Sequence, residues 1–301
     1  MLYLKKIKLQ NYCGYKDFEL DFTDNDNIKT WTILYGPNGT FKSTFLRAID
    51  LLANPKRFIH KNNILTFRKL KHHNDYNVGS ENLYSEVTDL KMEATFVING
   101  IEKRVILEDN IKGITYKNRV VDEQQGEISG IKLNELSNDE QGILFIDADN
   151  RNMMDKFQII SELQEPFCNF AKSIYGFDCY CPKESKVIDR GIEFLTDFVI
   201  VKSTRNDKNT TQVHYRRFSD GEKKIATLVA SLFKRGYKNS PDRENKHVVC
   251  IDNIEQHVYF KRHLTLLQKM EEYFPNHQFI ATTHSSVIVE NIDKKYLVDM
   301  E

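Results

Sequence analysis

Tyr35-Gly36-Pro37-Asn38-Gly39-Thr40-Phe41-Lys42-Ser43-Thr44 is the stretch whose reading decides the fold. Before it runs Trp31-Thr32-Ile33-Leu34, a short apolar β-type segment. After it runs Phe45-Leu46-Arg47-Ala48-Ile49-Asp50-Leu51-Leu52, with apolar residues at helical spacing. Strand, glycine loop and helix in that order turn several backbone N–H groups toward one point at a helix N-terminus, which suits a phosphate. The matching pattern is G-x-x-x-x-G-K-[ST], in which the lysine reaches terminal phosphates and the hydroxyl residue ligates magnesium. Phe41 stands where that pattern has its last glycine, and a side chain there strains the loop if φ is positive. Asn38, Gly39, Thr40, Phe41, Lys42, Ser43 and Thr44 are the candidate phosphate-binding residues.

Further along the chain, three segments fit the same site. Arg217-Phe218-Ser219-Asp220-Gly221-Glu222 opens a helix whose apolar stripe is Ile225, Leu228, Val229, Leu232 and Phe233. Ser219 with Glu222 three residues on makes a capping box. Either this is an ordinary helix start, or Ser219, Gly221 and Glu222 present the helix N-terminus to a phosphate. His247-Val248-Val249-Cys250-Ile251-Asp252 is an apolar strand ending in an acid. There a P-loop enzyme places its magnesium-binding carboxylate, so Ser43 and Asp252 are the candidate metal ligands. Gln278-Phe279-Ile280-Ala281-Thr282-Thr283 is another strand, and His284 at its C-terminal end is positioned to touch a terminal phosphate or an attacking water.

These four pieces, in this order, resemble the ABC-class ATPase heads of the RecF-like and overcoming-lysogenization-defect-like group, which includes DNA-repair, chromosome-maintenance and antiphage ATPases. Gly36 to Ser43 looks like its Walker A loop, and Phe218 to Glu222 looks like its signature motif. Val248 to Glu255 looks like the Walker B strand and its continuation, and Thr283-His284-Ser285 looks like the switch histidine. Ile7-Lys8-Leu9-Gln10-Asn11-Tyr12 is similar to the group's first strand. The resemblance implies an α/β fold, an ABC-type P-loop NTPase head with a mixed sheet core, an N-terminal antiparallel β region and a helical lobe. It implies one head over 1–301, with 53–211 a lobe inserted between Walker A and signature. ATP and Mg2+ are the implied cofactors. A head-to-tail homodimer or higher homo-oligomer is implied, because one subunit's signature closes over ATP held by the other. DNA and an effector protein encoded nearby are the further partners considered. The chain leaves no room after His284 for the nuclease domain of some members, so a nuclease or toxin activity is expected from a partner.

Asn253 occupies the place of the usual general-base glutamate in that group. Asparagine takes no proton from water at neutral pH. A general base contributes about 10²–10⁴-fold to rate, so hydrolysis is expected to be slow unless Glu255 substitutes. Asn253, Glu255 and His284 are the candidate catalytic residues. Two functions follow: an ATP-binding ATPase in DNA transactions or antiphage defence, with slow or partner-stimulated hydrolysis, or a non-hydrolysing scaffold or sensor holding an effector.

The remaining features bound these readings. The chain has 301 residues, 40% hydrophobic and 29% charged, which fits a globular protein with a sizeable core. Lys plus Arg and Asp plus Glu are both 43, so no global charge draws nucleic acid. Residues 56–73 are locally basic with aromatics interleaved, which reads as a nucleic-acid contact or as a solvated face. Five scattered cysteines argue for reduced thiols and a cytoplasmic protein, and the Cys179/Cys181 pair reads as structural. No apolar run nears the length of a membrane span. Lys91–Ile98 and Ile101–Glu108 flank Asn99-Gly100 as a hairpin. A helical region is expected over about 152–174, and a strand pair over 194–202 and 211–215.

Overall fold

The computed structural model describes residues 2–53, 90–98, 100–109, 119–122, 126–128, 143–146, 157–189, 191–203, 210–235, 248–256 and 258–301. The basic stretch 56–73 and the acids Asp147 and Asp149 lie outside the described residues. The chain opens with a hairpin of β1 (Leu2–Tyr12) and β2 (Tyr15–Asp21), then a small ribbon of β3 (Thr23–Asp24) and β4 (Asn27–Ile28). Strand β5 (Trp31–Tyr35) feeds the glycine loop, and α1 (Lys42–Ala53) follows. Next come β6 (Leu90–Ile98), β7 (Ile101–Asp109), β8 (Arg119–Asp122), β9 (Gly126–Ile128) and β10 (Leu144–Ile146). The lobe contains β11 (Ile159–Ile160), α2 (Gln164–Tyr175), β12 (Asp178–Tyr180), β13 (Lys186–Asp189), β14 (Ile192–Leu195), β15 (Val199–Ser203) and β16 (Thr210–His214). The last part holds α3 (Asp220–Arg235), β17 (Val248–Ile251), α4 (His263–Tyr273), β18 (Gln278–Thr283), α5 (Ser286–Asn291) and β19 (Leu297–Asp299).

Two large sheets organise these elements. The antiparallel sheet runs β2-β1-β6-β7-β8-β9, and the parallel sheet runs β10-β17-β18-β5-β19. Parallel strands buried on both faces should be apolar throughout rather than alternating, and β17 and β18 are buried at every residue. Their side chains divide by parity between two cores. Trp31, Ile33, Val249, Ile251, Phe279 and Ala281 face a core shared with α2, α3 and α4. Leu34, Val248, Cys250 and Ile280 face a core shared with α1 and the antiparallel sheet. Rings dominate the first: Phe167 meets Phe198 edge-on at 5.0 Å, and Phe198 meets Phe218 at 5.6 Å. Aromatic pairs of this kind add about 0.5–1.5 kcal/mol each beyond area burial.

Two sequence expectations shift in the lobe. The helix there begins at Gln164, after β11 and a 3-10 turn over Ser161–Leu163, and ends at Gly176, whose φ of 71° closes it in left-handed geometry. The expected strand from Phe194 to Lys202 is broken. Asp197 accepts hydrogen bonds from the N–H groups of Phe198 at 2.9 Å and Tyr215 at 3.3 Å, which ends β14 and starts β15 in a different sheet. The pairing of β15 with β16 stands as expected, Val199 to His214 through Ser203 to Thr210. The expected hairpin of β6 and β7 also stands: Ile98 faces Ile101, and Gly100 takes φ 82°.

A buried amide bonds the two sheets to each other. The register of β1 on β6 shifts between Leu4 and Lys6. Leu4 donates its N–H to Gln278 Oε1 at 2.8 Å and accepts from Gln278 Nε2 at 2.8 Å. Gln278 is 1% exposed. Gln278→Leu should therefore cost about 2–4 kcal/mol, since it leaves two buried backbone groups unmet. Equilibrium urea unfolding of the variant against the wild type checks this.

Candidate functional site

The parallel register places the site. Strands β17, β18 and β5 lie side by side, with Ile251 facing Ala281 and Thr283 facing Tyr35. Their C-terminal ends line up, so the loops that follow must meet in one crevice, where ligands of parallel sheets bind. Asp252 follows β17, Thr282 and Thr283 end β18, and the glycine loop follows β5. Ser43 in the first turn of α1 donates from Oγ to Asp252 Oδ1 at 2.8 Å. Thr282 Oγ1 donates to the same oxygen at 2.6 Å. The residues separated by 209 positions in sequence are thus locked into one cluster.

Within the loop, Lys42 folds back on the chain. Its ammonium donates to the carbonyls of Gly36 at 2.8 Å and Pro37 at 2.7 Å, and to Thr40 Oγ1 at 3.3 Å. Burial pushes its pKa below the ordinary lysine value, while the Asp252 and Glu255 charges pull it back up. Thr40 Oγ1 donates to Pro37 O at 3.0 Å, which closes the loop on itself. Gly36 at φ 143° and Gly39 at φ 89° supply backbone conformations that L side chains rarely adopt.

Phe41 takes φ 61°, in the left-handed region. That conformation costs a non-glycine residue about 1–2 kcal/mol. The ring has partners that offset this. It lies edge-on to Tyr15 at 6.0 Å between centroids and over Gly14, where a Cβ would stand 2.5 Å from Phe41 Cε2. Phe41 is 38% exposed. Covering most of a phenylalanine contributes about 1–2 kcal/mol, and an edge-on pair about 0.5–1.5 kcal/mol, so the contacts match the strain.

The candidate catalytic residues are also brought together. Asn253 takes φ 46°, which asparagine tolerates better than most residues, and its N–H donates to Thr282 Oγ1 at 2.7 Å. Glu255 spends both carboxylate oxygens on the loop carrying His284. Oε2 accepts from Thr283 Oγ1 at 2.7 Å, and Oε1 accepts from His284 N–H at 2.8 Å. Buried His263 braces the same loop. Its Nδ1 meets Ser285 Oγ at 2.8 Å, and its Nε2 meets Val258 O at 2.8 Å. Val258 O can only accept, so Nε2–H donates to it, and in the neutral ring Nδ1 is then left to accept from Ser285 Oγ–H. His263 was not visible as a site residue in the sequence. Thr282 and Thr283 left one signal, two hydroxyls ending an otherwise apolar strand.

The signature segment is bonded into the lobe. Ser219 Oγ donates to Glu222 Oε2 at 2.9 Å, and Ser219 N–H donates to it at 3.0 Å, so the capping box forms. Lys202 on β15 donates to Glu222 Oε1 at 2.6 Å, and Tyr175 at the end of α2 donates to Glu222 O. These bonds run into the lobe rather than toward residues 36–44. Burial works against the Glu222 charge, but the Lys202 and Ser219 donors outweigh it and hold the carboxyl below its usual pKa.

A phosphate loop, an acid at the end of the adjoining strand, a histidine one strand over and a separate signature helix define an ABC-type P-loop ATPase head. Residues 2–220 match the AAA ATPase domain family, and the chain belongs to it. A second AAA domain family matches residues 182–290. The chain is 32% identical over 127 residues to "Retron Vc95 probable ATPase" of Vibrio cholerae serotype O1 biovar El Tor, covering 38% of this chain and 25% of that protein. It is 31% identical over 119 residues to "Retron Ec83 probable ATPase" of Escherichia coli, covering 36% and 22%. The matches thus span a quarter or less of the retron proteins. It is 23% identical to "Septu protein PtuA" of Bacillus thuringiensis, over 96% of this chain and 74% of that protein. Among solved structures, the SMC head domain from Thermotoga maritima superposes with TM-score 0.59 at 19% identity, covering 98% of this chain and 94% of that one. An SmcHead bound to the C-winged helix domain of ScpA superposes with TM-score 0.62 at 14% identity, covering 99% and 93%. At those identities the likeness shows the fold.

The depressed pKa of Glu222 carries a pH signature. Its contribution is complete above the unfolded-state pKa of about 4.3 and is lost as pH falls through the lower folded-state value. The stability lead of wild type over Glu222→Gln, about 1 kcal/mol or less for a partly exposed pair, should persist at pH 7 and vanish in strong acid. Urea unfolding across that range checks it.

Proposed function

We propose that this chain binds ATP with Mg2+ and that two copies close head to tail around it, acting in DNA transactions or antiphage defence with slow or partner-stimulated hydrolysis. The observation that carries the reading is the Ser43–Asp252–Thr282 cluster at the mouth of the glycine loop. Ser43 Oγ and Asp252 are hard oxygen donors at hydrogen-bond distance, a pair that suits Mg2+. Bound there, the ion would neutralise phosphate charge. Lys42 would exchange its carbonyl partners for terminal phosphate oxygens. The loop N–H groups from Asn38 to Thr44 would cradle the remaining phosphates.

The signature placement supports the two-subunit reading. Glu222 is held by Tyr175 and Lys202 of the lobe, and Ser219 bonds to Glu222 in turn. A second copy is the natural source of the missing half. Within the span 53–211, β6 to β10 extend the two main sheets, and β11 to β16 with α2 then serve the head as its lobe. Similarity to retron and Septu proteins supports the defence setting, and the family resemblance of the motifs supports DNA transactions. Among the described residues no helix is long and apolar enough to cross a membrane. All five cysteines are free thiols, in line with a reducing cytoplasm.

Slow hydrolysis follows from two residues. Asn253 supplies no base, and Glu255 has both oxygens engaged by Thr283 and His284. Those bonds suit Glu255 to hold the His284 loop rather than to take a proton. The same pair favours a second reading, a non-hydrolysing scaffold or sensor that holds a nuclease or toxin effector.

ATP with Mg2+ should shift the chain from monomer to dimer by light scattering, and Lys42→Ala should weaken ATP binding at least about tenfold. Unchanged ATP affinity in Lys42→Ala would remove the site. In a phosphate-release assay, turnover gained by Asn253→Glu in a silent wild type favours the scaffold. Ordinary ATPase rates in the wild type, lost in Asn253→Ala, exclude it.

A further inference from the structure

We infer that Phe41, with Gly14 as its seat and Tyr15 as its tether, is a positioning residue that sets the phosphate loop in its receiving form before nucleotide arrives. The inference rests on the reading of residues 36–44 as an ATP site and deepens it.

A glycine before the lysine reaches positive φ freely, but it has no side chain to keep it there. This chain holds residue 41 at φ 61° from two directions. The side chain is seated: the ring lies where only a glycine at 14 leaves room, with Gly14 itself at φ 93°. The backbone is tethered: Phe41 O accepts from Tyr15 Oη at 3.0 Å and from Phe45 N–H, the first turn of α1, at 2.9 Å. Tyr15 continues into rings at the base of α1, edge-on to Phe45 at 6.2 Å and tilted on Phe18 at 5.0 Å. The turn between β1 and β2 and the loop between β5 and α1 are therefore packed and bonded to each other. A loop already ordered spends less of its binding energy on ordering. Phe41 is then not a lesion in the phosphate-loop pattern. The glycine that the pattern asks for at 41 is met by a glycine at 14, which admits the ring.

The test is a double-mutant cycle on ATP affinity, measured with Mg2+ by calorimetry at a temperature where far-UV circular dichroism shows every variant folded. Phe41→Gly restores the common pattern, yet it should weaken ATP about five- to tenfold. Gly14→Ala, which expels the ring, should weaken it comparably, and the double variant should be no weaker than Phe41→Gly alone. Phe41→Leu, which keeps part of the seat, should recover part of the loss. If Gly14→Ala does not fold, Tyr15→Phe removes only the tether and should still weaken binding several-fold. Phe41→Gly binding as tightly as wild type, or additive losses in the cycle, would overturn the inference while Lys42→Ala still abolishes binding. A wild type that binds no ATP, and is indifferent to Lys42→Ala, would overturn the site reading as well.

Discussion

The bond between Ser43 and Asp252 is the constraint on which the rest depends. It joins the first turn of α1 to the end of β17, and Thr282 completes it from β18 between them. Such a meeting is possible only because β17, β18 and β5 are parallel neighbours whose C-terminal ends are level. A slip of one residue in any of these registers would turn Asp252 or Thr282 to the opposite face. The parity that sends Val249 and Ile251 to one core and Val248 and Cys250 to the other fixes that register from both sides. Apolar packing on two faces thus secures a polar cluster at the edge.

Around this centre the parallel sheet divides the chain between two cores. Gln278 stitches the antiparallel sheet to the parallel one, and α1 lies in the core they share. The other face of the parallel sheet carries the aromatic cluster, into which the signature helix α3 packs through Ile225, Leu228 and Val229. The site is therefore built on strand ends and a helix start, while the signature belongs to the aromatic layer.

The phosphate loop, the acid-ended strand, the capping box and the strand ending in Thr282-Thr283 were legible because each is local: periodicity, a glycine and a cap within a few residues. The fold class followed from the family resemblance that these pieces carry together. What could not be read were bonds made across long separations. Nothing near Lys202 announces that it meets Glu222, and nothing near His263 announces that it braces Ser285. The split between β14 and β15 was hidden because Asp197 looks like any polar interruption, and its acceptor role depends on Tyr215 being folded back beside it. Phe41 and Gly14 each looked ordinary or awkward alone, and only their contact explains either.

Glu222 has a consequence for the signature helix. Its carboxylate already rests on the N–H and hydroxyl of Ser219, so the helix start carries an anion of its own. Lys42 likewise already rests on the carbonyls of Gly36 and Pro37. Each half of the proposed composite site keeps an internal placeholder for the charge it would receive. On the proposed reading, closure around a nucleotide would be an exchange of partners rather than a filling of empty places, and its free energy would be the difference between two sets of similar bonds. Lys202 and Tyr175 hold Glu222 in that arrangement from the lobe.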